Sequence, residues 1–361
     1  MGRYSCQKNR ETGLNTRYQM GKTRDIEVDV LRSIGILMII MAHIKAPMSL
    51  NVIRCFDVPL MVFVSGLCYS NKTLRGGISK FYSKRILRLI VPTYLFLTFL
   101  LLIERIILGA LDYHVVLRSF LLFQDGSIGY VWIIKVFLLV MLATPVLIKV
   151  VKKSPCYIVY LLMGVLIVAE EYLVHLLNHA NNHSICFEAI NETIPYLLGY
   201  SVFFLLGLLT KKLNEEDERM QLVCISILSI GFMGYWLFRN GNIWITSYKY
   251  PPQLLYIIYG CLMPALLWFL RRIFNLNERY ELIGPAKQKF IDYLVFLGQN
   301  TLWFYLWHIL FVIAANHFLT YWPLRFIVVL FMSTIVMVIQ YKVIMKIKSK
   351  SSWPIWDYFV G

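Results

Sequence analysis

Apolar stretches of about 20 residues follow one another along most of this chain, and nothing else in the sequence constrains its fold as strongly. A helix needs about 20 apolar residues to cross the hydrocarbon core of a bilayer. Ten segments have that length and character: 33–50, 52–70, 88–108, 131–150, 155–175, 194–210, 220–238, 252–270, 292–315 and 325–345. The fold expected is therefore all-α, a polytopic integral membrane protein of ten transmembrane helices. The composition agrees: 58% of residues are hydrophobic and 16% charged, against about 25% charged in soluble domains. Prolines inside several segments (Pro59, Pro92, Pro145, Pro264) are tolerated where neighbouring helices satisfy the freed backbone groups.

A net charge of +16 would suit a nucleic-acid binder, but the basic residues lie between apolar segments, and no nucleic-acid partner is expected. With the N-terminus inside, 28 of the 36 Lys and Arg fall in inside segments and only Lys45, Arg54, Arg105, Arg118, Arg239, Lys249 and Arg325 outside. The positive-inside rule then places both termini in the cytosol. Lys135, inside the fourth span, is expected to snorkel to the outer interface. The seven cysteines, from Cys6 to Cys261, include no CxxC pair and imply neither a disulfide framework nor a zinc site. The first 24 residues are polar and basic, without the apolar core of a signal peptide. They miss the myristoylation pattern because Cys6 stands where Ser or Thr is required, and Met20 offers an alternative start. The expected organisation is a basic cytosolic tail (1–24), a ten-helix membrane domain (25–348) and a short cytosolic C-terminal tail (349–361), in the cell membrane.

The first span, "VDVLRSIGILMIIMAHIK", carries Asp29 and Arg32 at one end and His43 deep in its apolar run. Arg32 and His43 are eleven residues apart, close to three full helical turns, so they share a face about 16 Å apart in height. Asp29 lies one turn before Arg32 on nearly the same stripe. Arginine and aspartate at an interface are ordinary, but a histidine deep in an apolar helix usually faces a cavity and a function.

Arginine, ten residues and histidine on a first helix introduced by an acidic residue resembles the opening motif of the acyltransferase 3 family of integral membrane acyltransferases. "FDVPLMVFVSGLCYS" (56–70) is similar to that family's second helix, with Asp57 and Val58 where members often carry a histidine before Pro-Leu. "KRILRLIVPTY" holds Arg85 and Arg88 in the family's Arg-x-x-Arg spacing, and "GQNTLWFYLWHIL" resembles its closing Tyr-x-x-His helix, with Tyr305 and His308.

The resemblance implies an O-acyltransferase that moves an acyl group, commonly acetyl, from cytosolic acetyl-CoA (acyl-CoA as donor substrate, with no tightly bound cofactor) to a hydroxyl of a cell-surface polysaccharide or its precursor. Acyl-CoA carries several phosphate charges, and guanidinium forks suit phosphate. Arg85, Arg88, Lys84 and Arg75 are the expected donor-binding residues, beside Lys72 and Lys80. His43 would be the base that takes the acceptor's proton, Arg32 would hold the donor end, and Asp29 would position Arg32. Asp57 begins the second helix near the depth of His43 and is a candidate to orient its ring. Ser65, Tyr305 and His308 are candidate site-lining residues. Covalent relay through an acyl-enzyme on His43 or Ser65 stays open beside direct transfer, as do a transporter or flippase for a polysaccharide precursor and a non-catalytic partner of a synthase.

His175, His179 and His183 recur every four residues, but "NHANNHS" is a poor helix interior and no carboxylate or cysteine completes a metal set, so no metal is expected. Trp244, Tyr248 and Tyr250 in an outer loop read as an interfacial aromatic belt or as a sugar-stacking platform.

Overall fold

The computed structural model describes residues 25–70, 77–109, 112–124, 130–180, 184–351 and 353–360. Among them there is helix and no strand. The helices are α1 (Ile26–His43), α2 (Met48–Ile53), α3 (Asp57–Tyr69), α4 (Gly77–Leu108), α5 (Tyr113–Phe120), α6 (Trp132–Lys153), α7 (Cys156–His179), α8 (Ile185–Asn191), α9 (Ile194–Thr210), α10 (Glu215–Asn240), α11 (Leu254–Phe274), α12 (Leu276–Arg279), α13 (Pro285–Gln299), α14 (Thr301–Phe318) and α15 (Trp322–Lys348). Nine helical stretches among the described residues are long and apolar enough to cross a membrane. The expected first span is not one of them. Its helix holds Glu27, Asp29 and Arg32 within 18 residues, yet α1 packs among the spans, against α3, α13 and α14.

The centre of the bundle is α9, whose residues from Gly199 to Thr210 are all buried. Leu, Phe, Tyr, Val and Gly surround this helix on every side, as a helix enclosed by others requires. By contrast, α10 and α15 expose Leu228, Phe238, Ile327 and Phe331. Large apolar side chains on an outer face are what lipid tails cover.

Small residues let α9 approach α3. A Cβ at Gly207 would lie 2.1 Å from the Phe63 carbonyl oxygen, and one at Gly66 would lie 2.3 Å from that of Phe204. Backbones this close are typical of packing between membrane helices. Gly207→Val is expected to lose about 1–3 kcal/mol or more through forced separation of the two helices, seen as a lower unfolding midpoint in detergent and less folded protein. Gly231→Val on α10, where a Cβ meets nothing within 4 Å, is the control and should leave both close to wild type.

Two boundaries differ from those the sequence suggests. The first helix runs from Ile26 to His43 rather than over 33–50, so Asp29 and Arg32 lie inside it and His43 is its last residue. Lys45 takes a left-handed φ of 55° and Pro47 follows, which together prevent continuation. The expected ninth span, 292–315, is broken: α13 ends at Gln299 and α14 starts at Thr301. Between them, the Asn300 side chain donates to the Phe296 carbonyl at 2.9 Å, a local bond that competes with the helical ladder.

The first helix is tied down at both ends. Asp25 caps it, accepting from Val28 N at 3.3 Å, from Asn277 at 3.0 Å and from Lys211 at 3.3 Å. Burial alone would raise the Asp25 carboxyl; the Asn277 hydrogen bond and the Lys211 charge outweigh it and hold the group below its ordinary value. At the first turn of α1, Gly298 of α13 lies against the Asp29 backbone, where a Cβ would come within 2.0 Å of the Asp29 carbonyl oxygen.

Candidate active site

Where α1 stops, its last carbonyls need partners. Asn316 of α14 donates to the His43 carbonyl at 2.7 Å, and Arg325 of α15 donates to the Ile44 carbonyl at 3.2 Å. Two helices remote in sequence therefore hold the residue that carries the imidazole. His43 Nδ1 lies 3.2 Å from His308 Nε2. Its ring also stacks on Tyr130, with centroids 4.0 Å apart and planes at 25°.

The tautomers follow by elimination. Nδ1 of His308 hydrogen-bonds the carbonyl of Tyr305, and a carbonyl only accepts, so this nitrogen carries the proton. With both rings neutral, His308 Nε2 holds a lone pair and accepts from His43 Nδ1–H. The remaining nitrogen, His43 Nε2, is left unprotonated. A fully buried second histidine thus fixes the tautomer of the first and leaves its Nε2 with a lone pair. Tyr305 also donates its hydroxyl to the carbonyl of Tyr130, a residue held in the left-handed region at φ 56°, which is uncommon for a bulky side chain.

A cavity of about 520 Å³ lies between α1, α3, α4, α6 and the α13–α14 break. One end holds Arg32, Cys68, Arg85, Arg88, Gln299 and Tyr358. The other end holds Ile39, Met61, Ile133, Ile134 and Tyr305. Its α6 wall, from Ile133 to Thr144, is about 16 Å long at 1.5 Å per residue. His43 and His308 do not line it; Ile39 lies one helical turn before His43, and Tyr305 one turn before His308.

The basic end is ordered. Asp29, buried, accepts from Arg32 at 2.9 Å and from Gln299 at 3.4 Å, while Arg32 also donates to Cys68 Sγ at 3.0 Å. Arg85 sits 5.4 Å from the centroid of Tyr69, and Arg32 and Arg85 lie within electrostatic reach of Arg88. Three guanidinium groups converging on one mouth make an anion site. Lys84 is exposed and does not line the cavity, and Arg75 and Lys72 lie outside the described residues. Ser65 does line it, but its hydroxyl donates to the Met61 carbonyl at 3.0 Å rather than to a base.

Asp57 is bound otherwise than the sequence suggests. Its carboxylate meets Arg54 at 2.7 Å and Lys249 at 2.9 and 3.1 Å, and it accepts from Val58 N at 2.8 Å; it is these cations that hold it, not the His43 ring. All three charged residues are buried. Burial alone would pull the Lys249 ammonium down; the Asp57 carboxylate, together with Tyr250 and Cys55, outweighs it and holds the group above its ordinary value. Arg54 and Lys249 are within electrostatic reach of His43. The loop that carries Lys249 folds inward because its aromatics pack on helices: Tyr250 stands edge-on to Trp132 at 4.9 Å and Tyr248 to Trp236 at 5.1 Å. Only Trp244 of the three loop aromatics combines exposure with no such ring contact among the described residues.

Lys249, Arg54 and Arg325 are the residues sequence reasoning missed, having been placed among ordinary outer basic residues. A sequence signal existed only for Arg54, one turn before Asp57. Lys135 is likewise not a snorkelling residue: it is buried and paired with Glu192, because α8 and the start of α9 close over it. His175 and His179 stack at 4.3 Å, and His183 lies outside the described residues. Among the described residues no three His, Cys, Asp or Glu side chains gather as metal ligands.

A cationic mouth, an apolar depth and an oriented histidine beyond it thus lie together within one bundle of apolar helices. Residues 25–342 match the model of the acyltransferase domain of the acyltransferase 3 family. The chain belongs to that family and is a membrane acyltransferase. No curated protein and no solved structure shows a match to it.

Proposed function

We propose that the protein transfers an acyl group, acetyl in the first instance, from cytosolic acyl-CoA to a hydroxyl of a cell-surface polysaccharide or its precursor, in the cell membrane with both termini in the cytosol. The observation that carries this reading is the cavity that joins three arginines to an apolar passage ending one turn from the histidine pair. The phosphates of the donor bind at Arg32, Arg85 and Arg88, and the acyl thioester reaches toward Tyr305. His43 Nε2 takes the proton of the acceptor hydroxyl as its oxygen attacks the thioester carbonyl. The tetrahedral intermediate collapses, the carbon–sulfur bond breaks, and the proton passes from His43 to the departing thiolate. A positioned base of this kind contributes about 10²–10⁴-fold. Family membership favours this over a transporter or flippase. Direct transfer is preferred to relay through Ser65, whose hydroxyl has no basic partner in its hydrogen bond.

Purified protein in lipid nanodiscs, given labelled acetyl-CoA and acceptor glycan, should release coenzyme A and label the glycan. Arg85→Ala and Arg88→Ala should each raise the donor KM about tenfold, the loss of one charge-assisted hydrogen bond. Movement of the precursor across the bilayer without acyl transfer would replace this reading with the flippase.

A further inference from the structure

The segment after α15 looks from sequence like a cytosolic tail, yet it is built into the bundle. Pro354–Tyr358 forms a short 3-10 turn that returns to α4 and α15. Two side chains from the bundle hold its backbone: Trp303 Nε1 donates to the Tyr358 carbonyl at 2.8 Å, and Gln340 Nε2 donates to the Phe359 carbonyl at 2.9 Å. The Phe359 ring stacks on Trp303, with centroids 5.5 Å apart and planes at 18°. Trp303 itself lines the cavity, and Tyr358 and Val360 line it too, at the end that carries Arg32, Arg85 and Arg88.

The segment also brings a negative charge to this mouth. Asp357 pairs with Lys348 at 2.6 Å and lies within electrostatic reach of Arg88. Its pair with Lys348 is largely solvent-exposed on the Asp357 side, at 68%, so it adds little to docking. The docking rests instead on the two hydrogen bonds and the ring stack.

Resting on the acyl-CoA reading above, we propose that residues 353–360 form a wall of the donor site: Phe359 seats the segment on Trp303, Tyr358 and Val360 close the mouth around the bound nucleotide end, and Asp357 competes with the donor's phosphates for Arg88. The segment is then a positioning element that sets donor affinity. Its two devices act in opposite directions, since the seat holds the donor in and the carboxylate opposes its charge.

Equilibrium binding of coenzyme A to the full chain in nanodiscs tests this, with two variants. Phe359→Ala should raise the Kd about tenfold, through loss of the stack and of the seated wall. Asp357→Asn should lower the Kd about threefold, because a competing anion leaves a partly solvated arginine site. A generally loosened protein would weaken binding in both variants; opposite signs are the mark of the wall. If the wild type binds coenzyme A but both variants stay within twofold of it, or Asp357→Asn weakens binding, the wall is wrong and the acyl-CoA reading stands. If the wild type binds no coenzyme A, both fall. Should Phe359→Ala fail to fold, Asp357→Asn alone decides by its sign.

Discussion

Replacing His43 with alanine is expected to lower acyl-transfer turnover by about 10²–10⁴-fold, the usual contribution of a positioned general base. Coenzyme A binding should stay within about twofold of wild type, because the imidazole lies beyond the cavity and the mouth arginines are untouched. The expectation rests on geometry rather than on the presence of a histidine. His308 gives its Nδ1 proton to the Tyr305 carbonyl, accepts from His43 Nδ1, and so leaves His43 Nε2 free to take a proton. His308→Ala removes the acceptor that fixes this tautomer, and a smaller loss of turnover is expected from it. The measurement is single-turnover transfer from labelled acetyl-CoA at matched amounts of folded protein. Turnover within tenfold of wild type for His43→Ala would remove His43 from the chemistry. Labelled acetyl found covalently on the wild-type chain, at Ser65, would bring back the relay.

The second large effect is on stability. Asp57→Ala is expected to destabilise the protein by about 3–5 kcal/mol, because removing one partner of a buried ion cluster leaves the others uncompensated. Here two cations, Arg54 and Lys249, share one carboxylate, and all three are buried, so the alanine variant strands two charges at once. The unfolding midpoint in detergent should fall sharply. Adding Lys249→Met to Asp57→Ala should recover part of the loss, since it removes one of the stranded charges and keeps an unbranched apolar stem. If Asp57→Ala unfolds like wild type, water reaches the cluster and its burial is not what holds the loop inward. The cluster lies within electrostatic reach of His43, so the double variant also reports whether transfer depends on Lys249 once folding is restored.

The parts of the fold legible in the sequence are those set by local composition. The length of the apolar runs showed the helical class and most of the spans, because a helix in lipid must satisfy its own backbone and present apolar side chains. Errors came at breaks. The α13–α14 interruption depends on Asn300 bonding its own helix and on Gly298 lying against the Asp29 backbone, and only the second of these is long-range. The end of α1 at His43 was missed because Ile44 and Lys45 look like a continuing helix, and Asn316 and Arg325 supply its caps from far along the chain.

Of the candidate site, the Asp29–Arg32 pair follows from helical spacing alone, and the structure places Arg85 and Arg88 beside it. What spacing could not reach was which side chains touch the histidine. His308 and Tyr130 meet His43 across separations that no period encodes. Lys249 looked like one outer basic residue among seven, and its place beside Asp57 depends on Tyr250 and Tyr248 packing their loop onto α6 and α10. The C-terminal segment likewise looked like a tail, because its docking rests on Trp303 and Gln340 from other helices.

The sequence by itself therefore determined an all-helical membrane protein whose first helix carries aspartate, arginine and histidine on one stripe, since those facts depend only on composition and a period of 3.6 residues. The tertiary structure alone decided which charges are buried, which nitrogen of His43 is left unprotonated, and which residues line the cavity. Each of these depends on groups brought together from distant helices, and in a low-dielectric interior it is the partner of a polar group, not its identity, that fixes its charge, its tautomer and its use.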